Sequence, residues 1–226
     1  MNIYSLIDNF SWQALIVFAL SAVAFLLSIS CHEFAHGFVA YKLGDPTAKL
    51  SGRLTLNPIK HFDWFAVIFF LVFRCGWAKG VPINPGYFKN PKRGMVYSSL
   101  AGPLTNVLLA FVSAVIFKFV IPIYTTNEAV YFLMSFLSQM IYVNCMLAIF
   151  NLIPLPPLDG SKIFFSVLPD RLYYRVMSYD RYMIIISLLL VYFGVLDNVI
   201  FNGTNNLIKV LDVASGFIYN LIGRGV

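Results

Sequence analysis

The chain has 226 residues, of which 59% are apolar and only 12% charged. A soluble globular domain is nearer half apolar and a quarter charged, so the balance excludes an ordinary soluble domain and points to a membrane protein. The net charge of +6 does not indicate nucleic acid, because no basic stretch is interleaved with aromatics; in a membrane protein excess Lys and Arg mark cytoplasmic loops.

Residues 1–10 lack the positive n-region of a signal peptide, and the apolar run after them is too long for an h-region. A retained transmembrane helix is expected over 11–43, with Ser11 as a candidate N-cap and Gly44-Asp45-Pro46 as its stop. Residues 48–56 partly alternate and predict a weak strand. Residues 64–73 are apolar but too short to span, which predicts a re-entrant or interfacial segment. Residues 77–85 predict a second short strand running into the turn Asn84-Pro85-Gly86.

Further spanning helices are expected over 95–121 and 129–150. The stretch 151–160 cannot continue the second of these, because Pro154, Pro156 and Pro157 delete donors and clash with the preceding turn. A short helix to residue 168 follows, then a fourth spanning candidate over 181–196. After a loop at 197–206, residues 207–222 form a moderately amphipathic helix that spans or lies at the interface. The expected fold is an all-α, polytopic bundle of about four to six transmembrane helices, with a re-entrant segment and short cytoplasmic-side β-strands. It forms a single integral-membrane domain over 1–226, with the C-terminal helices at 181–226.

Charge placement fits this topology. Loops 44–63, 74–94 and 151–181, with Lys42, hold most of the Lys and Arg, whereas the N-terminus and loops 122–128 and 197–206 hold none. If the first helix runs from outside to inside and 64–73 does not cross, every basic loop is cytoplasmic. Lys118 and Lys209 are the exceptions. Cys31, Cys75 and Cys145 lie in or beside apolar runs without paired spacing, which excludes a disulfide framework and suits small buried hydrophobes.

The chemistry is concentrated in His32-Glu33-Phe34-Ala35-His36, an HExxH pattern. On a helix, i and i+4 share a face, so both imidazoles can reach one metal, while Glu33, offset by one, can reach a water beside it. Two nitrogen ligands suit zinc in a tetrahedral site with an open position. His32 lies about 15 Å along the helix from Lys42, so the group is at membrane depth, where ionisable residues mark function. The third ligand must be a Cys, His, Asp or Glu returning to that depth. Asp159 is the best candidate because it ends the proline-broken stretch, and Gly160 would permit close backbone approach to the metal. An Asp159 that merely caps the next helix is the plain alternative, and His61 is a competing ligand.

The pair His32-Glu33-Phe34-Ala35-His36-Gly37 and Asn151-Leu152-Ile153-Pro154-Leu155-Pro156-Pro157-Leu158-Asp159-Gly160, each beside an apolar helix, resembles the site-2 protease family of intramembrane metalloproteases. The resemblance covers roughly residues 12–170. It extends to Leu56-Asn57-Pro58 with Lys60-His61, to Gly76-Trp77-Ala78-Lys79 with Pro82-Ile83-Asn84-Pro85, and to Ser99-Leu100-Ala101-Gly102-Pro103-Leu104-Thr105-Asn106. It is closest to the compact prokaryotic form without a PDZ or CBS domain. The resemblance implies a three-helix core, one zinc held by His32, His36 and Asp159, Glu33 as catalytic base, and Asn151 positioning the water or stabilising the oxyanion. Asn151 could equally cap a broken helix end, and Asn106 and Asn144 read as interhelical glue. The implied substrate is a transmembrane protein or peptide in the lipid bilayer, cleaved in the cytoplasmic membrane by a chain whose N-terminus is outside. A metal-binding transporter and an inactive helix-binding scaffold are the alternatives. A transporter would spread ionisable residues along a path, and an intact Glu33 speaks against a scaffold.

Overall fold

The computed structural model describes residues 12–61, 80–123 and 127–223. Three long helices carry the architecture: α1 (Trp12–Lys42), α4 (Pro91–Val120) and α5 (Glu128–Leu152). Each is long and apolar enough to cross a membrane, and the three pack against one another. The protein is therefore a multi-pass membrane protein. Single turns α2 (Thr47–Leu50) and α3 (Pro58–His61) follow α1, and α6 (Asp159–Phe164), α7 (Asp170–Met177), α8 (Asp180–Tyr192) and α9 (Asp197–Gly223) complete the chain.

α1 stops where expected, by a local device. Gly44 takes φ +107°, a region open to glycine, while Gly44 N–H bonds Tyr41 O and Asp45 N–H bonds Ala40 O. The Asp45 carboxylate then accepts from the backbone N–H and hydroxyl of Thr47, which starts α2. α4 begins earlier than expected, because Asn90 accepts from Arg93 N–H and Pro91 suits the first helical position. Asn127 caps α5 in the same way through Ala129 N–H.

The strand expected over 48–56 is not formed. Residues 47–50 make a helical turn, and Gly52 at φ +65° ends it. Arg53 and Leu54 N–H both bond back to Ala48 O, so the donors a strand would use are spent locally. Of the second expected strand, residues 80–84 are irregular and 77–79 lie outside the described residues, as does the re-entrant segment at 64–73. No β-strand occurs among the described residues.

The C-terminal part also differs from expectation. The loop expected at 197–206 is helical, forming the first turns of α9. Gly203 there abuts the Ile149 side chain on α5, and Thr204 is buried, so tertiary contact overrides the poor helix propensity of these residues. α8 and α9 meet at 79° across Gly194, which adopts φ +71°. Together they pass for one broken span or a re-entrant loop, and α8 alone, at 13 residues, is too short to cross. α9 packs on α4 and α5 through Leu211 against Ala110 and Cys145, and Lys118 on α4 pairs with Asp212. That pairing accounts for one of the two basic residues that broke the charge pattern.

Asn84 N–H bonds Asp45 Oδ2 at 2.7 Å, which places residue 84 beside the C-terminal end of α1. The chain thus leaves the described region after His61 and returns at Gly80 on the same side of the bundle. Single cysteines at Ser51 and Asn90, in a background without native cysteines, should both react with an impermeant maleimide from one face of sealed vesicles. Reaction from opposite faces would refute this arrangement.

Candidate metal centre

His32 and His36 sit on the face of α1 that meets α4, as i, i+4 spacing requires. Their rings are held from α4 at the atoms facing away from each other. His36 Nδ1 lies 2.7 Å from Ser98 O, and Ser98 Oγ donates to His36 O at 3.0 Å. A carbonyl only accepts, so His36 carries its proton on Nδ1 and a neutral ring offers a lone pair at Nε2. His32 Nδ1 lies 2.9 Å from Asn106 Oδ1, which imposes the same tautomer. Asn106 Nδ2 is buried without a hydrogen-bond partner, an expense that the opposite amide orientation would transfer to His32.

The two Nε2 atoms are 2.9 Å apart. Asp159 Oδ2 lies 3.3 Å from that of His32 and 3.0 Å from that of His36. Two lone pairs and a carboxylate at these separations repel unless a cation joins them, and all three residues are buried. Burial of Asp159 opposes its charge, so the carboxylate needs positive partners. Lys162 Nζ is 3.5 Å from the other oxygen, Oδ1. Two imidazole nitrogens and one carboxylate oxygen make a donor set suited to zinc.

The chain reaches this point through tight backbone geometry. A Cβ on Gly160 would fall 2.3 Å from Leu152 O and 2.5 Å from Ile153 O. The glycine thus permits α6 to fold back under the end of α5, a closer constraint than the approach to metal anticipated for it. The Pro156–Pro157 peptide is cis, and Pro156 O accepts from Ser187 Oγ on α8 at 2.8 Å. On α4, a Cβ at Gly102 would fall 2.4 Å from His36 Nε2 and 2.6 Å from His32 Cε1, so no side chain fits against the imidazoles.

The other candidates have hydrogen-bond partners of their own. Glu33 accepts from Val81 N–H through Oε2 at 2.7 Å. Asn151 is in the last turn of α5, its amide donating to Leu147 O at 2.9 Å. His61 bonds Thr55 O at 2.8 Å and is not in the ligand group. Asn144 does join helices, donating to Ser28 Oγ on α1. Asn106 does more than join helices, because it orients His32. The sequence marked Asn106 as interhelical glue and Gly102 within the Ser99–Asn106 stretch, without these roles, and did not mark Ser98. The signal was present in their i+4 spacing along α4, a polar and small stripe within an apolar helix.

Gly102→Ala should leave the protein unable to retain zinc after purification, since its methyl occupies the space of the imidazole edges. Stoichiometric zinc in that variant would contradict the close approach. Asn106→Ala should weaken zinc affinity about 10- to 100-fold, the usual effect of removing a partner behind a metal-ligating histidine. Competition with a chelator of known affinity measures it, and an unchanged affinity would release Asn106 from this role.

Residues 119–195 match the model for Peptidase family M50. A Bacillus subtilis protein named as a zinc metalloprotease, YwhC, is 39% identical over 186 residues, which cover 81% of this chain and 84% of that one. MJ0611 of Methanocaldococcus jannaschii, named likewise, is 32% identical over 158 residues, 69% of this chain and 72% of its own. Rip2 of Mycolicibacterium smegmatis, also so named, is 28% identical over 149 residues, 64% of this chain and 55% of its own. No solved structure matches. At that identity and coverage, and with a metal-competent group formed from both sequence motifs, the chain belongs to peptidase family M50, the site-2 protease family, and is a zinc metalloprotease.

Proposed function

We propose that the protein is an intramembrane protease that hydrolyses peptide bonds in or near transmembrane segments, with His32, His36 and Asp159 holding one zinc and Glu33 as the base. The observation that carries this reading is the buried convergence of those three side chains between helices long enough to span a bilayer. His32 and His36 lie within α1, and α6 returns Asp159 to them. An ionisable cluster at such depth is costly unless it serves a function.

Zinc, when bound, supplies Lewis acidity, polarising a scissile carbonyl and acidifying a water. The protein's own part is proton transfer and orientation. Glu33 accepts the proton of the attacking water and returns it to the leaving amine. Asn151 is proposed to donate to the oxyanion; its amide spends one hydrogen on Leu147 O and keeps a second. The substrate segment must unwind locally, because peptide bonds inside a helix are shielded. The loop charges support an N-terminus outside and a site hydrated from the cytoplasmic face of a cell membrane.

Glu33→Gln keeps the shape of the side chain and is not in the ligand group, so purified variant should retain zinc. Cleavage of a single-span reporter co-reconstituted in vesicles should fall by at least about 100-fold, the lower range for loss of a general base. Activity within tenfold of wild type would remove Glu33 from the mechanism.

A further inference from the structure

Glu33 and Gly37 are four residues apart on α1 and share a face. Val81 docks on both. Its N–H donates to Glu33 Oε2 at 2.7 Å, and its Cγ1 sits 3.0 Å from where a Cβ on Gly37 would stand. Ala48 Cβ and Leu54 Cδ1 close the same notch at 3.2 and 3.3 Å, so Gly37 leaves room for the Val81 side chain and little else. Three residues on, Asn84 N–H donates to Asp45 Oδ2 at 2.7 Å. Asp45 is itself fully buried and pinned by Thr47. Segment 80–84 is thus tied at two backbone amides to two carboxylates, that of Asp45 just past α1 and that of Glu33, the proposed base, within it.

A carboxylate on a flexible Glu side chain can rotate about its last torsions. One accepted hydrogen bond from a fixed backbone amide removes that freedom and leaves Oε1, which bonds no described residue, to receive a proton. We propose that the Val81 backbone amide, seated by the Gly37 notch and by the Asp45–Asn84 tie, is a positioning group that orients the Glu33 carboxylate for proton transfer. The inference rests on the reading of Glu33 as base. It assigns the Gly37 that follows the HExxH pattern a physical task, making room for the residue whose amide holds the base.

The test uses zinc-loaded, full-length protein in vesicles with the same single-span reporter. Val81→Pro deletes the donor and should lower kcat about 10- to 100-fold, the scale of misplacing a catalytic group by about an ångström, with KM and zinc content unchanged. Val81→Ala keeps the N–H, and its kcat should fall far less. Gly37→Ala fills the notch and should also lower kcat, and the double variant Gly37→Ala/Val81→Ala should recover part of that loss because Cγ1 is gone. This last pair decides the matter if the proline variant does not fold.

A Val81→Pro enzyme with wild-type or higher kcat would overturn the inference, a rise marking the contact as inhibitory. A rise in KM alone would also overturn it, assigning segment 80–84 to substrate binding. Absence of recovery in the double variant would do the same. If Glu33→Gln still cleaves, it is the assignment of the base that fails. If Glu33→Gln is dead while Val81→Pro is normal, only the positioning role fails.

Discussion

The close approach of α1 and α4 at Gly102 is the constraint on which the rest of the molecule depends. Two imidazoles cannot be left in an apolar bundle with free N–H groups, because each unmet donor costs on the order of 1–3 kcal/mol. The solution places both Nδ1 donors on α4, at Ser98 O and Asn106 Oδ1. That requires the helix surfaces to touch the rings directly, and only a residue without a Cβ permits it at position 102. Once both rings are turned this way, both Nε2 lone pairs face inward, toward the Asp159 carboxylate. The proline-broken connection after α5 brings that side chain to them.

The same contact explains why α4 has its composition. Leu104, Leu108, Val112 and Ile116 are exposed at successive i+4 positions, while Gly102, Asn106, Ala110 and Ala114 are buried. The helix is polar and small toward its partners and apolar toward the outside, the inverse of a soluble helix. Lipid is as apolar as leucine, so burying leucine against another helix gains little, and close backbone packing with hydrogen bonds does the joining. Ser28–Asn144 between α1 and α5, and Lys118–Asp212 between α4 and α9, are further joints of this kind.

On α1 and just past its end, side chains capture backbone of the returning chain. Asp45 serves both its own turn and residue 84, and Glu33 takes the amide of Val81. Segment 80–84, held at Val81 and Asn84, forms no regular structure. Backbone donors are satisfied by carboxylates in place of a strand ladder, which meets the same requirement that no buried N–H be left alone. Glu33, the proposed base, both secures a loop and directly follows His32 on α1.

What the sequence by itself determined is what depends on local spacing. His32, Glu33 and His36 could be placed because i, i+4 geometry is intrinsic to any helix, and the apolar runs marked α1, α4 and α5 to within a few residues of their observed ends. Asp159 could be singled out because prolines forbid the helix before it. The alternation at 48–56 misled, since a strand needs a partner and the Asp45 and Gly52 signals favoured a turn. Residues 197–206 misled in the opposite direction, because burial of Gly203 and Thr204 against neighbouring helices outweighs their weak propensity. Asn106, Ser98, Gly102 and the Glu33–Val81 contact were decided only by tertiary structure. Their roles are set by which helix the small and polar stripe of α4 meets and by where a distant loop returns, and the spacing along one helix fixes neither.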